Sequence, residues 1–140
     1  MLLKIEIDAD EAIEMLDGVA AVLTSDQFAD AAGAFALDRI LERTLSGKDV
    51  NDNRFAPYSN EYAKRKGGAV DLYVSGDMLR SLDYSAAGSQ VIITCSSEIA
   101  QYHEEGTSKM PQRQFMGLSE RDVKDMMEKI FVEPLRSLIG

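Results

Sequence analysis

The side chains suited to catalysis or metal binding are few. The 140 residues contain one histidine, His103, and one cysteine, Cys95. A zinc site needs several nitrogen or sulfur ligands, and this pair does not supply them. Glu104 and Glu105 follow His103 directly, and on a helix such neighbours point different ways. No Gly-x-Ser-x-Gly elbow, phosphate-binding loop or dinucleotide glycine fingerprint occurs. A serine hydrolase with His103 as its base is one reading. The competing reading is that His103 packs or hydrogen-bonds at the end of its helix. Neither a cofactor nor a catalytic set is expected. The basic run Lys64-Arg65-Lys66, beside Gly67-Gly68, reads as a solvated loop rather than a phosphate site.

A second constellation suits binding. Pro111 and Gly117 bracket a segment that cannot be regular helix. In an extended chain Arg113 and Phe115 share one face, while Gln112 and Gln114 take the other. Arginine and phenylalanine are enriched in interface cores. One reading makes Met110 to Leu118 an arm that lays Phe115 in a neighbour's pocket and pairs Arg113 with an acid. The other packs Phe115 in its own core and pairs Arg113 within the chain. Met110 and Met116 flank the segment, where exposed soft side chains would suit an interface. Met78, Met126 and Met127 fall on helical stripes and read as core.

These residues need elements to position them. Leu3, Ile5 and Ile7 alternate with Lys4, Glu6 and Asp8, as in a strand with one buried face. A helix follows on Ile13, Leu16, Ala20 and Leu23. Ser25 caps a longer one, with Phe28, Ala31 or Ala32, Phe35 and Ile40 or Leu41 as its stripe and Gly47 as its stop. Residues Lys48 to Pro57 read as a loop. Ser59 caps a helix of about two turns that holds Glu61, Tyr62 and Lys64. Met78, Leu79 and Leu82 suit one helical turn. Ser81 to Ala86 and Val91 to Cys95 form a hairpin about Ala87-Gly88-Ser89. Ser97 caps a short helix that Gly106 ends. Ser119 and Asp122 cap a last helix with Val123, Met126 or Met127, and Ile130 inward. Pro134 kinks the chain or opens a final turn with Leu135 and Leu138. The expected fold is α+β, a small antiparallel sheet packed against N-terminal and C-terminal helices.

Composition narrows the function. Hydrophobic residues make up 45% and charged residues 28%, enough for a globular core in one domain. No apolar run approaches the roughly 18 residues of a membrane helix. Met1 to Asp8 does not read as a signal peptide, and the lone Cys95 suits a reducing cytoplasm. The net charge of −9 is uneven: residues Met1 to Asp52 carry twelve acids against four bases, and Asn53 to Leu118 are balanced. Such a chain is a poor candidate for wrapping nucleic acid.

Three segments together resemble the phage virion-morphogenesis family, the tail-completion proteins of Mu-like and related tailed phages and prophages. The first is Phe55-Ala-Pro-Tyr-Ser59, followed by Tyr62, Lys64 and Lys66. The second is Val74-Ser-Gly-Asp-Met-Leu-Arg-Ser-Leu82. The third and most specific is Ile99-Ala-Gln-Tyr-His-Glu-Glu-Gly106, leading into Met110-Pro-Gln-Arg-Gln-Phe-Met-Gly-Leu-Ser119. The resemblance covers roughly Phe28 to Ile130. Phe55 stands where the family often has tryptophan, Tyr58 where it has leucine, Ile99 where it has tyrosine, and Gln114 where it has proline.

The resemblance implies a single virion-morphogenesis domain over residues 1–140 and a non-enzymatic structural protein, assembled in the host cytoplasm and carried in the virion. It would complete the tail or join it to the head connector. It implies self-association, with a hexameric ring as the expectation, and docking to tail-tube or head-connector proteins. DNA would pass nearby without specific binding, and no membrane is involved. An acidic channel wall that repels DNA is one use of the charge. Tyr102, His103, Gly106, Met110, Pro111, Arg113, Phe115 and Gly117 are the candidate interface or fold-defining residues. A tail terminator, a head–tail joining protein and a small prophage hydrolase are the alternatives.

Overall fold

The structure, a computed structural model, describes residues 3–8, 25–67, 70–72, 76–87 and 90–133. The helix expected over Ile13 to Leu23 and the turn expected after Pro134 lie outside the described residues. The elements in order are β1 (Leu3–Asp8), α1 (Ser25–Leu45), α2 (Asn60–Lys66), α3 (Asp77–Arg80), β2 (Leu82–Ala87), β3 (Gln90–Cys95), α4 (Glu98–Glu105) and α5 (Glu120–Met127). One wide π-helical turn, Glu128–Val132, extends α5. No described helix is long and apolar enough to cross a membrane.

The fold is α+β. Its sheet has three strands in the order β1-β3-β2, all neighbours antiparallel. The hairpin is tighter than the sequence suggests. Ala87 pairs with Gln90, so it belongs to β2 and two residues make the connection. Leu82 likewise starts β2 instead of ending a helical turn. In the central strand the side chains alternate: Val91, Ile93 and Cys95 are fully buried, and Ile92 and Thr94 half-buried. That alternation is the period of two that puts successive side chains on opposite faces.

Helix α1 lies across β2 and β3. Its alanines and long straight-chain residues favour helix, and Gly47, at φ +79°, ends it. The buried stripe is Phe28, Ala29, Ala32, Ala36 and Ile40. Ala32 is therefore chosen over Ala31 and Ile40 over Leu41. Phe35 is only half-buried, with the Arg39 guanidinium 5.1 Å above its ring. Small residues at 29, 32 and 36 let the helix approach the sheet closely, so the larger Phe35 sits at the rim.

The C-terminal helix packs on α1. Ser119 caps α5 in a reciprocal box: its hydroxyl accepts from Asp122 N, and the Asp122 carboxylate accepts from Ser119 N. Met126 and Ile130 are buried as expected. Val123 is not, at 42% exposed, and the inward position beside it is taken by Asp122 at 1%. The reason lies on α1. Arg39 and Arg43 stand one turn apart, and both bond Asp122, at 3.1 and 2.6 Å. Arg39 also reaches Asp125 at 2.9 Å. A buried carboxylate with two guanidiniums and a backbone amide is compensated, and an inward valine there would leave Arg43 without its counter-ion.

Candidate functional site

The segment after α4 is the one that sequence marks for binding, and it is built into its own fold. Gly106 turns the chain at φ +73°, with its N–H bonded to the Tyr102 carbonyl at 2.9 Å. A Cβ there would sit 3.0 Å from Gln112 N and 3.1 Å from Met110 O, so the returning segment leaves no room for one. Arg113 N then bonds His103 O at 2.6 Å, and Val50 N bonds Gln114 O at 2.9 Å. Glu104 turns inward and accepts from Phe115 N and Met116 N at 2.7 and 2.6 Å. Burial pushes its carboxyl upward, and those two amides pull it back. Glu105, pointing elsewhere, meets Gln101. Arg43 completes the clamp, donating to the carbonyls of Phe115 and Gly117 at 2.8 Å each.

This overturns the arm that reaches a neighbour. The alternation of Gln112, Arg113, Gln114 and Phe115 is present, exposed and buried in turn. Its buried face points into this chain: Phe115 is fully enclosed in the core and Arg113 is 3% exposed. Met110 and Met116 are half-buried rather than free. At Gly117 a Cβ would stand 2.7 Å from Val50 Cγ2, so glycine lets the loop over Val50 pass.

Among the described residues Arg113 pairs with no acid. Its Nε and Nη2 donate to the carbonyls of Ala56 and Pro57 at 2.8 and 2.9 Å. Its guanidinium lies 4.8 Å from the Tyr58 ring centre, a cation–π contact. Tyr58 meets Tyr62 edge to face at 4.9 Å. The Tyr58 hydroxyl accepts from Leu72 N at 3.2 Å. That bond helps to hold Leu72 at φ +56°, a conformation unusual for a bulky residue. Burial raises the Tyr58 phenol above its ordinary value.

These groups wall a cavity of about 520 Å³. His103 also lines it, 9% exposed, with Nδ1 buried and unbonded. Burial, and then the Arg113 charge, push its pKa down to about 4. The apolar lining includes Leu72, Met78, Ile99, Met110 and Pro111. Arg65 and Lys109 stand at the cavity with Arg113, and among the described lining residues the one acid is Asp77, which is paired with Arg80. The basic run is thus the last turn of α2 rather than a loop, with Lys66 bonded to Asp71.

Of the eight candidate residues, the cavity gathers His103, Met110, Pro111 and Arg113. Phe115 and Gly117 lie behind it in the packing, Gly106 makes the turn, and Tyr102 is 49% exposed. All three segments that carry the resemblance contribute to the wall: Tyr58 and Ser59, then Gly76, Asp77 and Met78, then Ile99, His103, Met110, Pro111 and Arg113. Sequence reasoning gave no site role to Tyr58, Tyr62, Arg43 or Glu104, and placed Asp122 only in a helix cap. A signal existed for the ionic group in the helical spacing of Arg39 and Arg43. Among the described residues no set of three or more His, Cys, Asp or Glu could hold a metal ion. Compared with models of known families, with curated proteins and with solved structures, the chain gives no match.

Proposed function

We propose that this chain is a non-enzymatic structural protein of a tailed phage or prophage. It completes the tail, or joins it to the head connector, by docking other virion proteins. The observation that carries the reading is the convergence just described. Three segments, separated by up to dozens of residues, resemble one family in order and spacing, and their side chains wall one cavity. Beside that cavity α4 presents Ile99 and Tyr102, 55% and 49% exposed and three residues apart on one helical face. Large apolar groups next to a recess suit a protein contact. Docking therefore belongs to the cavity mouth and this face, and not to the buried Phe115. A tail terminator or a head–tail joining protein would use the same surface.

The hydrolase reading draws on His103. An imidazole with a pKa near 4 is a weak base at neutral pH, and Ser59, which shares the cavity, uses its hydroxyl to cap α2.

The test is the mass of the purified protein in solution, alone and with purified tail tubes or head connectors, with electron microscopy of the tube ends. A closed ring, or density added to one tube end, supports the proposal. A monomer with no affinity for tubes or connectors overturns it. Ile99→Lys, which alters only an exposed residue, should weaken the association.

A further inference from the structure

We propose that the cavity is a binding site for an acidic peptide segment of a partner protein, taking a carboxylate at Arg113 and His103 and an adjacent apolar or aromatic side chain against the tyrosines. That the ligand is a peptide rests on the docking reading; the anion site rests on the cavity's own chemistry.

Buried charges in proteins are normally paired. Arg113 is 97% buried by its 3% exposure, yet among the described residues no carboxylate lies within ion-pair distance. Two carbonyls engage Nε and Nη2, and the Nη1 hydrogens have no described partner. Nearby, His103 has a buried Nδ1 with nothing bonded to it. In its neutral form the Nδ1–H tautomer is a hydrogen-bond donor. A guanidinium nitrogen left open at the cavity, with an unbonded imidazole nitrogen enclosed beside it, describes the receiving half of a carboxylate site.

The remaining lining sets the ligand's other features. Leu72, Met78, Ile99, Met110 and Pro111 are apolar, and Tyr58 and Tyr62 supply ring surface. A bare phosphate would leave these walls facing water. A carboxylate beside a large apolar side chain would cover them. Arg65 and Lys109 make the entrance positive in a chain whose net charge is −9, so an acidic segment is drawn to this place on an otherwise repelling protein. The volume, about 520 Å³, is in the range of ligand pockets and admits a few side chains, not a folded element.

The sequence has one histidine, so its imidazole proton resonances report the site without ambiguity. The full chain is titrated with N-acetyl-Leu-Glu-Phe amide, with the matching Gln peptide, and with inorganic phosphate. The charged and polar groups on the cavity beside His103 are Arg113, Arg65, Lys109, Asp77, Tyr58 and Tyr62. A carboxylate placed among them should raise the imidazole pKa by about one unit or more. The Glu peptide should bind, in the millimolar range or tighter, and at least about tenfold more tightly than the Gln peptide. Arg113→Gln should abolish that preference. Because this change also frees two carbonyls, Lys109→Gln at the exposed entrance is the companion variant, expected to weaken binding about threefold with the fold intact. Equal binding of both peptides, binding without movement of the His103 titration, preference for phosphate, or no binding in the millimolar range each overturns the inference. Tube-end density with no peptide binding would sink this site alone. Peptide binding without affinity for tubes or connectors would leave the site and remove the virion role.

Discussion

Acidification should destabilise this protein through His103 in particular. The folded imidazole takes its proton near pH 4, against an ordinary value of 6.5. Between those values the unfolded chain binds a proton that the folded chain refuses, so stability rises with pH across the window. The full contribution is present above about pH 6.5 and is lost as pH falls through about 4. At about 1.4 kcal/mol per pH unit the loss is about 3 kcal/mol, a large share of an ordinary domain's stability. Glu104 works in the opposite direction, since burial raises its carboxyl, and other carboxylates titrate in the same range. The assay must therefore be a difference. Urea unfolding is measured from about pH 4 to about pH 7 for the wild type and for His103→Gln, whose side chain carries no titrating group. The wild type should lose about 3 kcal/mol more than the variant over that range. Equal slopes for the two proteins, or an imidazole that titrates near 6.5 in the folded state, would refute the account of a buried histidine held neutral by its surroundings.

Three further outcomes follow from the packing. Asp122→Ala should cost about 3–5 kcal/mol in urea unfolding, because it strands the buried Arg43 and removes the Asp122 half of the α5 capping box; a loss below about 1 kcal/mol would show that the ionic group is not compensated as described. Gly117→Ala should cost about 1–3 kcal/mol by driving a Cβ into Val50, and adding Val50→Ala should restore most of it; no restoration would mean that the clash is not the cause. Cys95 is fully buried, so a thiol reagent should modify it only as fast as the chain opens, and rapid labelling of the native protein would contradict the packing of β3.

Much of the fold is legible along the chain because its causes are local. The cap at Ser59, the capping box at Ser119 and Asp122, and the Gly47 and Gly106 stops each depend on backbone groups within a few residues. The alternation in β3, and that of Arg113 and Phe115, follows from the period of an extended chain. Pattern names two faces but not what each face meets. The exposed–buried rhythm of residues 112–115 is the same whether Phe115 enters a neighbour or its own core. Only the folded chain, with Glu104 and Arg43 gripping the segment's backbone, decides for the core.

The same division separates the candidate site from its motifs. Sequence marks His103, Met110, Pro111 and Arg113 as one stretch, and Tyr58 as part of another. It carries no measure of the distance between them. The cavity exists because the loop before α2 offers two carbonyls to Arg113 and a tyrosine ring beneath it, a contact across more than fifty residues. Likewise the choice of Asp122 over Val123 as the inward residue depends on two arginines that another helix brings to it. Composition, caps, stops and alternation belong to the sequence alone, since their energies are set by neighbours along the chain. Which polar groups are buried together, and which are left there without a partner, is decided by the tertiary structure, because desolvation and ion pairing depend on distance in space.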